Sequence, residues 1–283
     1  MSIPRTLELP AGVEAVTLET SRGQFAAHTI HADGGRGHVL LIPGWTGSKE
    51  DFTPLLPLLA AAGFDVTTYD QRGQYETAGT ADDDYSLAGY AADALAVREQ
   101  SGHDRSDLLG HSFGGLVAQQ AAITDANAWL SLSLLCTGPG ALGDSPTRPL
   151  RRLVSSIGKV PLLQIHQLRE QGIKRPAQVT GFLAKRFTSN APASLKAMTQ
   201  LLIDAPDIID DLAATDLPKW VGRGADDDAW PHDVQAAMAE RLGTQIHTVP
   251  DSAHSPAVEN PAGLMAAWLP FLHQHSTEES RWV

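Results

Sequence analysis

Gly110-His111-Ser112-Phe113-Gly114 is the stretch whose reading decides the fold. Before it, Ser106-Asp107-Leu108-Leu109 is a short strand-like run. After it, Gly115-Leu116-Val117-Ala118-Gln119-Gln120-Ala121-Ala122 has the small, apolar character of a buried helix. One serine between glycines at a strand-to-helix junction fits the G-x-S-x-G nucleophile elbow. The reversal is so tight that a Cβ at either glycine would meet neighbouring backbone, while the serine itself takes a strained φ/ψ. In return its hydroxyl stands clear at the end of a sheet, near the positive end of the following helix.

The rest of the chain is consistent with such a sheet. At 283 residues it has the size of one α/β domain with an insertion. Its 42% hydrophobic and 19% charged residues are ordinary for a globular protein. A formal net charge of −12 argues against nucleic acid or an anionic membrane as partner. No apolar run is long enough to span a bilayer, and Met1 to Glu8 lacks the basic-then-apolar pattern of a signal peptide. The expectation is a soluble cytoplasmic protein, with no oligomeric state assigned. Cys136, the single cysteine, forms no internal disulfide and reads as a buried inert thiol at the end of an apolar run.

Upstream of the elbow, Val13 to Thr20 and Gln24 to His31 are β-type runs joined by Ser21-Arg22-Gly23, a hairpin that leaves His28 and His31 on its surface. His38 to Ile42 is a strand buried on both faces. It ends in Pro43-Gly44-Trp45-Thr46-Gly47, a loop whose backbone can approach a ligand. Thr53 and Pro54 supply an N-cap and first position for a helix ending at Gly63. A strand follows from Phe64 to Tyr69, and Ser86 caps a helix through about Glu99. Trp129 to Cys136 is the strand after the elbow. This order means βαβ crossovers and a mostly parallel sheet.

From about residue 140 the character changes. Residues 140–213 carry Arg148, Arg151, Arg152, Lys159, Arg169, Lys174, Arg175, Lys185 and Arg186, with only helical-period apolar patterns. They read as a helical cap inserted into a core made of residues 1–139 and 214–283. The rhythm resumes with a strand from Leu217 to Gly222, a helix from Pro231 to Arg241, a strand from Thr244 to Val249 and a helix from Val258 to His273. A frayed tail is expected from Ser276 onward.

The hairpin start, the Pro-Gly-Trp loop, Gly-His-Ser-Phe-Gly, and a late acid and histidine together resemble the α/β-hydrolase superfamily over nearly the whole chain, most weakly over the cap. The resemblance implies a Ser, then Asp or Glu, then His order along the sequence. Ser112 is then the nucleophile. His254, in the loop Pro250-Asp251-Ser252-Ala253-His254-Ser255-Pro256 after the last strand, is the base that a weak serine nucleophile needs. His111 belongs to the elbow turn, and its ring should point away from the hydroxyl into the packing beneath. Gly224, Asp227 and Pro231 match the family's spacing for the acid, so Asp227 is chosen, with Asp226 and Asp228 left as neighbours able to take its place. Backbone N–H groups of Phe113 and Trp45 are the implied oxyanion donors, although many relatives have His-Gly where this chain has Pro43-Gly44. The Trp45 indole either lines the substrate pocket or packs under the cap. Asp70-Gln71-Arg72-Gly73 resembles the family's Asp-x-x-Gly segment and reads as loop architecture.

These residues imply a serine hydrolase that cleaves an ester, thioester or lactone of a small molecule through an acyl-enzyme, with no metal and no cofactor. The same triad also serves cofactor-free perhydrolase or haloperoxidase chemistry and C–C bond hydrolysis, and the fold serves non-catalytic small-molecule binding. Haloalkane dehalogenase and epoxide hydrolase chemistry is disfavoured, because those relatives carry Asp at the elbow where this chain has Ser112. The basic cap residues either steer an anionic substrate or are solvated helix faces.

Overall fold

The hairpin at the start of the chain forms as its turn chemistry predicts. β1 (Glu14–Thr20) and β2 (Gly23–Ile30) pair antiparallel, with Thr20 opposite Gly23 at the turn. The computed structural model describes residues 2–276; from residue 277 the tail expected to fray lies outside the described residues. β3 (Gly37–Ile42), β4 (Phe64–Tyr69), β5 (Ser106–His111), β6 (Trp129–Leu135), β7 (Lys219–Gly224) and β8 (Ile246–Val249) complete one eight-stranded sheet. The order across it is β1-β2-β4-β3-β5-β6-β7-β8, antiparallel as far as the β2/β4 pair and parallel from β4 to β8.

Helices cover both faces of the sheet, so the central strands are apolar on both sides. On β3, Leu40 and Ile42 enter one core while Val39 and Leu41 enter the other, as a period of two demands. The first core is closed by α2 (Leu87–Glu99) and α3 (Phe113–Thr124), the second by α1 (Leu56–Ala61) and by α11 (Pro261–His275). Ser86 caps α2 as expected, its hydroxyl accepting from Gly89 N at 3.0 Å.

Three local expectations are corrected. α1 starts at Leu56, with Pro57 in its first turn, because Thr53 Oγ1 is engaged with His28 Nδ1 at 3.3 Å instead of capping a helix. That contact also buries His28, which is no surface residue; His31 stays exposed. The C-terminal helix is two helices, α10 (Pro256–Glu259) and α11. Pro261 cannot continue the first, and Asn260 caps the second by accepting from Gly263 N at 2.9 Å.

Residues 140–213 hold α4 (Asp144–Ser156), α5 (Leu162–Arg169), α6 (Ala177–Thr188), α7 (Pro192–Asp204) and α8 (Ile209–Ala213), and no strand among the described residues. α4 packs on α7 and α5 on α6. The start of the segment is tied to the end of α7, where Ala141 N donates to Ala205 O at 3.1 Å and Leu142 N to Leu202 O at 3.0 Å. α9 (His232–Arg241) returns the chain from β7 to β8.

At the start of β3, His38 is buried between Ser106 Oγ at 2.7 Å and Thr67 Oγ1 at 2.9 Å. Burial pulls its pKa from 6.5 to about 3, so the folded imidazole is neutral. Above 6.5 folded and unfolded imidazoles are alike. Below it the unfolded imidazole takes up a proton that the folded one refuses until about 3. Stability is therefore lost as pH falls through that window, by about 1.4 kcal/mol per pH unit. Thermal denaturation followed across the window should show a steeper acid decline in the wild type than in His38→Gln; parallel declines would contradict the assignment.

Candidate active site

The parallel strands deliver every sequence-chosen side chain to one edge of the sheet, since all run the same way and end there. Ser112 follows β5 at the centre, with φ +56° and ψ −121°, a conformation that non-glycine residues rarely hold. The glycines around it are forced by proximity. A Cβ on Gly110 would overlap the carbonyl oxygen of Gly114, and one on Gly114 would overlap that of Ile42. Neighbouring strands hold the strained turn: Ser112 N donates to Leu135 O at 2.9 Å, and Thr137 Oγ1 donates to Ser112 O at 2.8 Å.

Asp227 leaves the loop after β7 and His254 the loop after β8. His254 Nδ1 lies 2.7 Å from Asp227 Oδ1, and His254 Nε2 lies 2.9 Å from Ser112 Oγ. A carboxylate only accepts, so Nδ1 carries the proton and Nε2 is left with the lone pair that faces the serine hydroxyl. Asp227 is buried, whereas Asp226 and Asp228 are exposed. Burial alone would raise the Asp227 carboxyl. The bond and charge of His254, Ala229 N at 3.1 Å and Gln235 Nε2 at 3.0 Å outweigh it and hold the carboxyl below its ordinary value.

His111 departs from expectation. Its ring lies 5.0 Å from that of His254, its Nε2 donates to His254 O at 2.6 Å, and it lines the same cavity as Ser112. Alternation along β5 explains this: His111 shares the face of Leu109, two residues earlier, where Phe52 packs edge-on against it. Burial lowers its pKa to about 4, and the neighbouring His254 adds to the effect, so it is a neutral donor. Ligand atoms of His111, Cys136 and His254 lie within 4.8 Å of one another, the spacing of a metal trio. Both His254 nitrogens are already engaged, however, and burial pushes the Cys136 thiol up, away from the thiolate a metal needs.

The loop after β3 lies against the nucleophile: a Cβ on Gly44 would stand 3.0 Å from Ser112 Cβ. The segment after β4 braces it. Gln71 Nε2 donates to Pro43 O at 2.8 Å and Gln74 Nε2 to Gly44 O at 3.0 Å. Buried Asp70 accepts from Lys49 N at 2.8 Å and Lys49 Nζ at 3.0 Å. Trp45 does both things considered for it. It lines the cavity, and its Nε1 donates to Thr199 Oγ1 of α7 at 3.0 Å. The cavity itself holds about 250 Å³, walled by Leu142, Leu150, Leu202 and Trp230 besides Trp45 and Ser112.

With this geometry, the match to known proteins is specific. The Alpha/beta hydrolase family model covers residues 39–268. The chain belongs to the α/β hydrolases. This hydrolase is 26% identical over 257 residues, 87% of its own chain and 95% of the other, to a protein of Variovorax paradoxus described as the carbamate hydrolase RutD. A thermophilic esterase from Thermogutta terrifontis superposes with a TM-score of 0.76 at 22% identity, covering 93% of this chain and 100% of that one. The N-acyl homoserine lactonase AidH superposes with a TM-score of 0.75 at 20% identity, over 93% and 97% of the two chains. Among the described residues of this hydrolase, no helix is long and apolar enough to cross a membrane.

Gln71, Gln74, Gln235 and Thr137 were not singled out in the sequence. Gln71, Gln74 and Thr137 have partners 25 to 30 residues away along the chain, Gln235 meets Asp227 eight residues away, and no local pattern marks any of them. Asp227→Asn should leave the fold intact and reduce turnover by roughly four orders of magnitude, by disturbing the imidazole's tautomer. Asp226→Asn should stay within about twofold of wild type in the same steady-state assay. The reverse pattern would move the acid to the neighbouring residue.

Proposed function

We propose that this hydrolase opens an acyl bond of a small molecule with Ser112 as nucleophile, His254 as general base and Asp227 as the acid that orients it. The observation that carries the reading is the unbroken hydrogen-bonded relay from Ser112 Oγ through His254 to Asp227. As Oγ attacks the carbonyl carbon, His254 Nε2 takes its proton, and the imidazolium is stabilised by the carboxylate at Nδ1. The same nitrogen then protonates the leaving group. In the second half it draws a proton from water, which attacks the acyl-enzyme and frees Ser112.

Trp45 and Phe113 are the proposed oxyanion donors. Both would act through main-chain N–H groups, which need little reorganisation as charge develops. The positive end of α3 points the same way. The substrate class is a carboxylic ester, thioester or lactone. The Variovorax relative's description adds a carbamate, whose carbonyl is opened by the same attack. Residues 140–213 act as a cap, a reading supported by their helices meeting the core at Trp45 and supplying Leu142, Leu150 and Leu202 to the cavity wall. No step in this scheme needs a metal or a cofactor.

A fluorophosphonate probe should label the protein at Ser112, read by mass spectrometry of the labelled peptide. Ser112→Ala should lose both the label and turnover of a short p-nitrophenyl ester by about a million-fold. Undiminished ester turnover in that variant would refute the mechanism.

A further inference from the structure

Three of the basic side chains in residues 140–213 have an acidic partner among the described residues. Arg186 is buried against Asp51 at 2.7 Å, Arg175 pairs with Glu170, and Lys185 lies 3.7 Å from Glu76. Arg169, the last residue of α5, is different. Its guanidinium carbon stacks 4.9 Å from the centre of the Trp45 ring and 5.2 Å from that of Phe187. Among the described residues no carboxylate pairs with it, and Glu170, the acid beside it in sequence, is taken by Arg175. The residue keeps solvent access, yet its head group sits deep enough that burial, with no acid to offset it, lowers its pKa. A guanidinium stacked on two aromatic faces is held in place and keeps its N–H edge for a planar anion.

Arg169 lines a second cavity, of about 300 Å³, between α4 and α5. Its walls are mostly apolar, from Leu150, Leu153, Val160, Ile165 and Leu168, with Arg152 and Arg169 as its cationic members. Leu150 also walls the cavity that holds Ser112, and Trp45, which carries Arg169 on its ring, lines that cavity too. A mostly apolar cavity therefore shares its Leu150 wall with the nucleophile's cavity and carries a guanidinium, that of Arg169, held on aromatic rings. In a chain of net charge −12, such a cation is a selective feature, since most of the surface repels anions.

We propose that the cavity between α4 and α5 is an acyl-chain subsite and that Arg169 binds a carboxylate at the far end of that chain. The preferred acyl group is then an apolar chain ended by a carboxylate, as in the half-ester of a medium-chain dicarboxylic acid. The methylene groups lie along the leucine wall, and the carboxylate accepts two parallel N–H bonds from the guanidinium. The proposal rests on the reading of Ser112 as nucleophile.

The test compares 4-methylumbelliferyl half-esters of adipate, suberate and sebacate with their methyl-capped twins. In the wild type, kcat/KM for the best carboxylate-ended ester should exceed that of its twin by about tenfold or more, mainly through KM. Arg169→Met, which keeps the stem against Trp45, and Arg169→Gln should each bring that ratio to about one. Calorimetry on Ser112→Ala protein should show monomethyl suberate binding, with Kd raised about tenfold by adding Arg169→Met. A wild-type ratio at or below one, an unchanged ratio in both Arg169 variants, or binding indifferent to Arg169 overturns the subsite. Wild-type turnover of the capped esters by Ser112→Ala would instead overturn the nucleophile, while the calorimetry still decides the subsite.

Discussion

The His254 imidazole can reach a hydroxyl on one side and a carboxylate on the other only because β5, β7 and β8 run parallel and end at the same edge of one sheet. Ser112 and His254 lie 142 residues apart along the chain, with α3 to α9 between them, yet Ser112, Asp227 and His254 each lie just beyond the end of a strand. Right-handed βαβ crossovers keep the strand directions aligned, and side-chain alternation into two cores sets each strand's register. The site therefore inherits its precision from the packing of Leu108, Leu109, Leu134 and Val221, none of which touches it chemically.

Around that edge, backbone strain is concentrated where chemistry is proposed. Thr46 and Ser112 both hold positive φ, on the two loops that meet at Gly44 and the serine. Such conformations persist only when their surroundings leave no alternative. Here the surroundings are specific: Leu135 and Thr137 bind the elbow, while Gln71 and Gln74 bind the loop after β3. Asp70 and Lys49 anchor the other side of that loop as a buried pair: burial pushes the Asp70 carboxyl up to about 7 against the pull of Lys49, whose ammonium also meets Glu50 and Glu76. Removing one partner of such a pair leaves a buried charge uncompensated, so the loop and the segment after β4 act as one unit.

The imidazole itself is held from beneath as well as from its ends. His111, neutral because it is buried, donates to the His254 carbonyl and packs its ring against the His254 ring. Above the cavity the helices of residues 140–213 use their charges locally. Arg186 is spent on Asp51, Ser48 and the backbone of Ser2, which ties α6 to the loop region, whereas Arg169 rests on aromatic faces. One run of basic residues thus contains an internal tie and an open anion contact. Sequence composition treats the two alike.

By itself the sequence determined the order of strands and helices, the elbow with its obligatory glycines, and the positions of Ser112, His254 and the acidic triplet around Asp227. The elements and the elbow are written in local patterns: alternation, helical periodicity, and a turn that admits no Cβ; His254 and the acidic triplet are what the resemblance to the family implies. Only the tertiary structure decided that Asp227 is the buried member of its triplet, that His28 faces inward, that His111 packs against His254, and that Thr53 meets His28 instead of capping a helix. The same holds for Gln71, Gln74 and the contrast between Arg169 and Arg186. The reason is the range of the interaction. A residue whose role is set by the chain within a turn of it carries a sequence signature, whereas one whose partner lies tens of residues away acquires its role only when the strands close around it.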